Sequence, residues 1–168
     1  MPTKAVDASR AQDLLLAQTT MADRSASVNV AAEEDVFAAR RSVRRVAASV
    51  GFSPRVAEEL ALVATELASN MLKYAGGGKI EITPCPGADG EVGIRIVASD
   101  QAPPFDLVCA LRDGHDGAGQ IDPALLFGRR GIGAGLGAVA RLTDALTLEA
   151  IPGGKRLVAL RYLPSSRS

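Results

Sequence analysis

Between Ser53 and Gly78 the sequence specifies one long helix with both ends marked, and the rest of the chain has to be arranged around it. Ser53-Pro54 supplies an N-cap hydroxyl and a first-turn proline, whose missing N–H is one that a helix start leaves unpaired anyway. Leu60, Val63, Ala64, Leu67 and Met71 then recur at three- and four-residue spacing and line one stripe. Gly76-Gly77-Gly78 ends the run near Ala75. A stripe of that kind is buried against a second layer.

The flanking segments provide candidates for that layer. Ser27 to Ala31 alternates and reads as a short strand. From Asp35 to Val50 a second helix is expected, with Val36, Ala39, Val43, Val46, Ala47 and Val50 on one side and Arg40, Arg41, Arg44 and Arg45 on the other. Gly51 stops it. After the long helix come two strands, Lys79 to Thr83 and Val92 to Ala98, joined by a Pro/Gly turn. Asp100 to Arg130 is a stretch rich in Pro, Gly and Asp, with a short apolar piece at Leu107 to Leu111. Such a length suits a lid or binding segment. Gly131 to Gly137 leads into a helix from Ala138 to Leu142, and a hairpin of Ala145 to Ile151 and Arg156 to Leu163 turns at Pro152-Gly153-Gly154. Residues 1–26 are polar and Ala-rich, expected as a flexible arm with at most a weak helix from Ala8 to Gln18, leaving 27–164 as the domain.

With 168 residues there is room for one real core, and with aromatics at only 4% that core must come from Ala, Val, Leu and Ile. Lys plus Arg and Asp plus Glu number 19 each, so the formal charge is zero, which argues against a nucleic-acid partner. No apolar run approaches the ~20 residues of a membrane span, and the first 22 residues lack a signal-peptide core. A cytoplasmic protein is the expectation. Cys85 and Cys109 stand in unlike surroundings, with no CxxC pair and no histidine at ligand spacing, and read as ordinary reduced thiols.

Three pieces carry chemistry. In Glu66-Leu67-Ala68-Ser69-Asn70-Met71-Leu72-Lys73 a carboxylate, a carboxamide and an ammonium fall on one helix face. That set could orient a hydroxyl, ligate Mg2+ and meet phosphate; a solvated helix face is the plain alternative. Asp100, at the end of an apolar strand, could accept a hydrogen bond from a base amino group or simply open a turn. Gly131-Ile132-Gly133-Ala134-Gly135-Leu136-Gly137, at a helix start, lets backbone amides approach an anion or makes a hinge. Neither a dinucleotide fingerprint nor a P-loop is present: Lys79 is followed by Ile80 and Lys155 by Arg156. His115 reads as a solvated loop residue, and no serine lies in a nucleophile elbow. The arginine cluster is a solvated face or a surface for an acidic partner.

In this order and spacing the three pieces resemble the N, G1 and G2 boxes of the GHKL ATPases, over about Val28 to Leu163. Within them the chain resembles the bacterial partner-switching serine/threonine kinases, the RsbT-type switch kinases and RsbW-like anti-sigma factor kinases. The likeness to the switch kinases rests on Val28-Asn29-Val30, Ala38-Ala39-Arg40, Glu66 to Asn70, Tyr74-Ala75-Gly76, Gly131 to Leu136 and Arg141-Leu142-Thr143-Asp144. The resemblance implies an α+β two-layer sandwich, the Bergerat ATP-binding fold, with a mixed, mainly antiparallel sheet, helices on one face and a long ATP lid. It implies ATP and Mg2+, with Glu66 as catalytic base, Asn70 as metal ligand and Lys73 near phosphate. Asp100 would bind the adenine amino group, and Gly131, Gly133, Gly135 and Leu136 would cradle the phosphates.

Two stretches depart from the family pattern: Ala102 and Pro104 replace the two glycines of the G1 box, and Gly153-Gly154-Lys155-Arg156 stands where relatives often carry an adenine-binding threonine. Three activities stay open at this point. One is phosphorylation of an STAS-domain antagonist. The second is an anti-sigma factor that holds a sigma factor, and the third a non-catalytic module that activates a PP2C-type phosphatase. A homodimer is compatible with each.

Overall fold

The computed structural model describes residues 23–87, 90–111, 115–116, 119–120 and 135–164. The expected N-terminal arm lies outside the described residues up to position 22, and much of the expected lid lies outside them too.

Strand β1 (Ala26–Val30) leads into helix α1 (Glu33–Val50) and then α2 (Pro54–Ala75). Strands β2 (Gly78–Pro86) and β3 (Val92–Asp100) follow, then the single turn of α3 (Leu107–Ala110) and the two-residue strands β4 (His115–Asp116) and β5 (Gly119–Gln120). Helix α4 (Gly135–Leu142) and the hairpin β6 (Ala145–Ile151) and β7 (Gly154–Tyr162) complete the order.

Local chemistry accounts for these boundaries. Asp35 Oδ2 accepts from the N–H groups of Ala31 and Ala32, at 2.9 and 3.0 Å, so α1 begins at Glu33, two residues ahead of the expected Asp35. Those bonds hold the Asp35 carboxyl below its ordinary range. Ser53 Oγ accepts from Val56 N–H at 3.3 Å, with Pro54 in the first turn, as the sequence indicates. At the other end of α2 the backbone must turn left-handed, and Gly76 does so with φ 71° while its N–H returns to the Met71 carbonyl. Pro152 and Gly153 (φ 77°) make the two-residue turn between β6 and β7.

The five long strands form one sheet in the order β1-β2-β3-β7-β6, and each described pairing is antiparallel. Strand β1 covers β2 only as far as Ile82, so Pro84 and Pro86 fall where the outer side of β2 is open and no ladder donor is missed. One sheet face supplies Ile80, Ile82, Ile94, Ile96, Ala98, Leu157 and Ala159 to the core. Against it pack Val43, Val46, Leu60, Val63, Leu67 and Met71 from α1 and α2. The expected α+β two-layer sandwich is the observed one, with aliphatic side chains filling the space between the layers.

Candidate functional site

The long helix α2 and the start of α4 meet along one edge of the helical layer, and the first chemical piece lies at that meeting. Glu66 and Asn70, one turn apart, both approach Gly135, the first residue of α4. A Cβ placed on Gly135 would stand 2.6 Å from Glu66 Oε2 and 4.0 Å from Asn70 Nδ2, so glycine at that position leaves the two polar groups their space. Glu66 is half-buried, and burial raises its carboxyl pKa above the ordinary value. A carboxylate shifted toward neutrality is better matched to proton transfer at physiological pH.

Leu136, the next residue of α4, packs against the core, and Val139 is fully buried, so the helix is anchored behind its N-terminus. Its far end is fastened by Asp144, whose Oδ2 accepts from Tyr162 N–H at 2.7 Å. Thr143 Oγ1 donates to the Val139 carbonyl. The Arg-Leu-Thr-Asp sequence thus locks α4 onto β7. Gly131 and Gly133 lie outside the described residues. Lys73 is exposed, with its ammonium 4.8 Å from the centre of the Tyr74 ring.

The second piece lies at the C-terminal end of β3. Asp100 sits next to α2, close enough that a Cβ on Gly78 would meet both Met71 Sδ and Asp100 Cβ. Its side chain is 6% exposed and Oδ1 has two partners. One is the N–H of Ala102 at 2.9 Å, an Asx turn made two residues on. The other is Lys155 Nζ at 2.5 Å, from the position directly opposite on β7. Lys155 is as buried as its partner, and Phe105 lies under the ammonium, 5.8 Å from ring centre to nitrogen. Gly154 permits this approach, because a Cβ there would run into the Asp100 carbonyl. The departures from the G1 pattern are accommodated without strain, since no described residue other than glycine has positive φ.

The sequence reading noted Lys155 only as a departure from the family pattern, and its burial against Asp100 was not foreseen. Its signal is the alternation of β7, where Lys155, Leu157 and Ala159 share the inward phase. A lysine in that phase has to be paired. Removal of one partner of such a pair leaves an uncompensated buried charge, at a typical cost of about 3–5 kcal/mol.

Arg40 and Arg44 both reach Glu58 on α2, at 3.4 and 2.6 Å, and clasp the two helices. Cys85 and Cys109 are free thiols, and burial raises that of Cys85. His115 belongs to β4, opposite Gln120. Among the described residues no helix is long and apolar enough to cross a membrane.

Residues 29–161 match the family model of the histidine kinase-like ATPase domain. The chain is 34% identical over 139 residues to the serine/threonine-protein kinase RsbT of Bacillus subtilis (strain 168), covering 81% of this chain and 95% of that protein. Among solved structures it is similar to a chain of the SiaB–SiaC complex from Pseudomonas aeruginosa, with a TM-score of 0.50 and 16% identity over 89% of this chain and 97% of the other. That likeness is one of fold.

Proposed function

The chain belongs to the histidine kinase-like ATPase domain family, and on that footing we propose that it is an ATP-dependent serine/threonine kinase of a partner-switching system, acting on a small STAS-domain antagonist. The observation that carries this reading is the convergence of Glu66 and Asn70 on Gly135 at the start of α4. The relative whose name states serine/threonine kinase activity spans nearly the whole domain.

The residues present fit a nucleotide with its metal. The space that a Cβ on Gly135 would fill is bordered by the Glu66 carboxylate and the Asn70 amide, and it opens at the N-terminus of an eight-residue helix. Backbone N–H groups there face an incoming anion. The Asn70 side-chain oxygen would ligate the metal, with phosphate oxygens and water supplying the rest. Mg2+, when bound, would supply charge neutralisation between phosphate oxygens. Asp100 Oδ1 holds Lys155 and Ala102, and a carboxylate accepts about four hydrogen bonds in all, so acceptor capacity remains for a base amino group.

In this reading Glu66 takes the proton of the attacking serine or threonine hydroxyl as its oxygen bonds to the γ-phosphorus. The bond from that phosphorus to the bridging oxygen breaks, and ADP leaves. Leu136 and Val139 keep α4 in place, so that its N-terminal amides need no rearrangement as charge develops. The test is Glu66→Ala assayed with radiolabelled ATP and a purified STAS-domain protein. Nucleotide affinity should persist while phosphotransfer falls by ~10²–10⁴. Phosphotransfer at the wild-type rate would remove Glu66 from the chemistry.

A further inference from the structure

The Lys155 ammonium has three N–H donors, and among the described residues its hydrogen-bond acceptor is Asp100 Oδ1. Its side chain is 6% exposed, and a buried donor left unfilled is costly. The remaining donors are available to a further acceptor. What the fold holds at this spot is a donor and an acceptor side by side, 2.5 Å apart, with the Phe105 ring beneath the donor. The pair is neutral as a unit. It suits an uncharged heterocycle better than a phosphate, and the phosphate-facing features lie instead at Gly135.

The 6-aminopurine edge is the complement of this pair, with an exocyclic amino donor beside the ring acceptor N1. We propose that Lys155 reads the base directly: N1 accepts from Lys155 Nζ while the 6-amino group donates to Asp100. An ion pair, and not a carboxylate alone, then grips the purine by its Watson–Crick edge. The inference rests on the ATP reading above and adds to it the residue that distinguishes this base site. It also explains why Gly154 precedes Lys155: any larger residue would push β7 away from Asp100 and separate donor from acceptor.

The experiment is calorimetric titration of wild-type protein with Mg-ADP, Mg-1-deaza-ADP (N1 replaced by C–H) and the diphosphate of purine riboside (no 6-amino group). Loss of N1 should weaken binding roughly tenfold or more, the usual effect of removing a hydrogen bond from a charged donor. Lys155→Met should bind ADP and 1-deaza-ADP equally. The double variant D100N/K155M, which leaves no buried charge unpaired, should likewise lack the preference and guards against a single variant that does not fold. Equal wild-type affinity for ADP and 1-deaza-ADP would overturn the role of Lys155 while leaving the ATP site standing. So would a full preference for N1 in either variant. Failure of wild type to bind any of the three nucleotides would overturn the ATP reading and this inference with it.

Discussion

Replacing Gly135 with alanine separates chemistry from folding. The added Cβ would lie 2.6 Å from Glu66 Oε2 and 3.5 Å from Glu66 Cδ, whereas ordinary contacts start near 3.4 Å, so the carboxylate has to retreat by about 0.8 Å. The obstructing atom is the far end of a flexible side chain, and its displacement costs the fold little. Alanine is also the better helix former, by up to about 1 kcal/mol in a helix interior and less in the first turn where Gly135 stands. Thermal stability should therefore hold or rise. Catalysis should not hold, because a misplacement approaching 1 Å at a reacting group typically costs about a hundredfold in rate. The assay pairs a melting curve with single-turnover phosphotransfer to the proposed STAS-domain substrate at saturating ATP. A stable Gly135→Ala protein that transfers phosphate at the wild-type rate would refute the reasoning, since Glu66 would then have no need of its present position.

Three further outcomes follow from the same geometry. Burial raises the Glu66 pKa, so the folded state holds this proton more tightly than the unfolded chain; its ionisation opposes folding at neutral pH, and stability falls as pH rises out of the carboxylate range. Glu66→Gln should raise Tm at neutral pH, with the gain disappearing in acid, and the acidic limb of the wild-type activity profile should lie above that of an ordinary glutamate. Asn70→Asp should abolish Mg-dependent nucleotide binding in calorimetry, because a second carboxylate one turn from Glu66 repels the first and replaces a neutral ligand. Ser53→Ala should lower the urea midpoint by the equivalent of ~1 kcal/mol without changing the m-value, as loss of one N-cap bond predicts.

Much of the scaffold was legible because its signals are local. Both ends of α2 were readable from a capping serine, a proline and a glycine, and the aliphatic stripe named the core residues that the structure buries. Boundaries set by distant partners were not. Strand β3 runs past the apolar stretch to Asp100 because Lys155 pairs with it from β7, and Ser99-Asp100 alone resemble a turn. Helix α4 starts at Gly135, three residues ahead of the expected Ala138, because glycines that weaken a helix in isolation are what Glu66 and Asn70 leave room for. The face shared by Glu66, Asn70 and Lys73 could be drawn from spacing. That two of them meet α4, while the Lys73 ammonium rests over Tyr74, required the tertiary fold.

The strand order has a consequence for how this protein can change. Neighbours β3 and β7 are joined across the 55 residues that separate Asp100 from Lys155, and among the described residues of that span only β6 adds a strand to the five-stranded sheet. The tie between the two halves is made by strand pairing, so the length of what is strung between them is nearly free. Doubling a flexible connection costs only about 0.6 kcal/mol in closure entropy. Insertions and deletions between β3 and α4 can therefore be sampled without dismantling the sheet, and that is the stretch expected to lie over a bound nucleotide and a docked substrate. The sequence between β3 and α4 can therefore drift while the pairing of β3 with β7 stays the same.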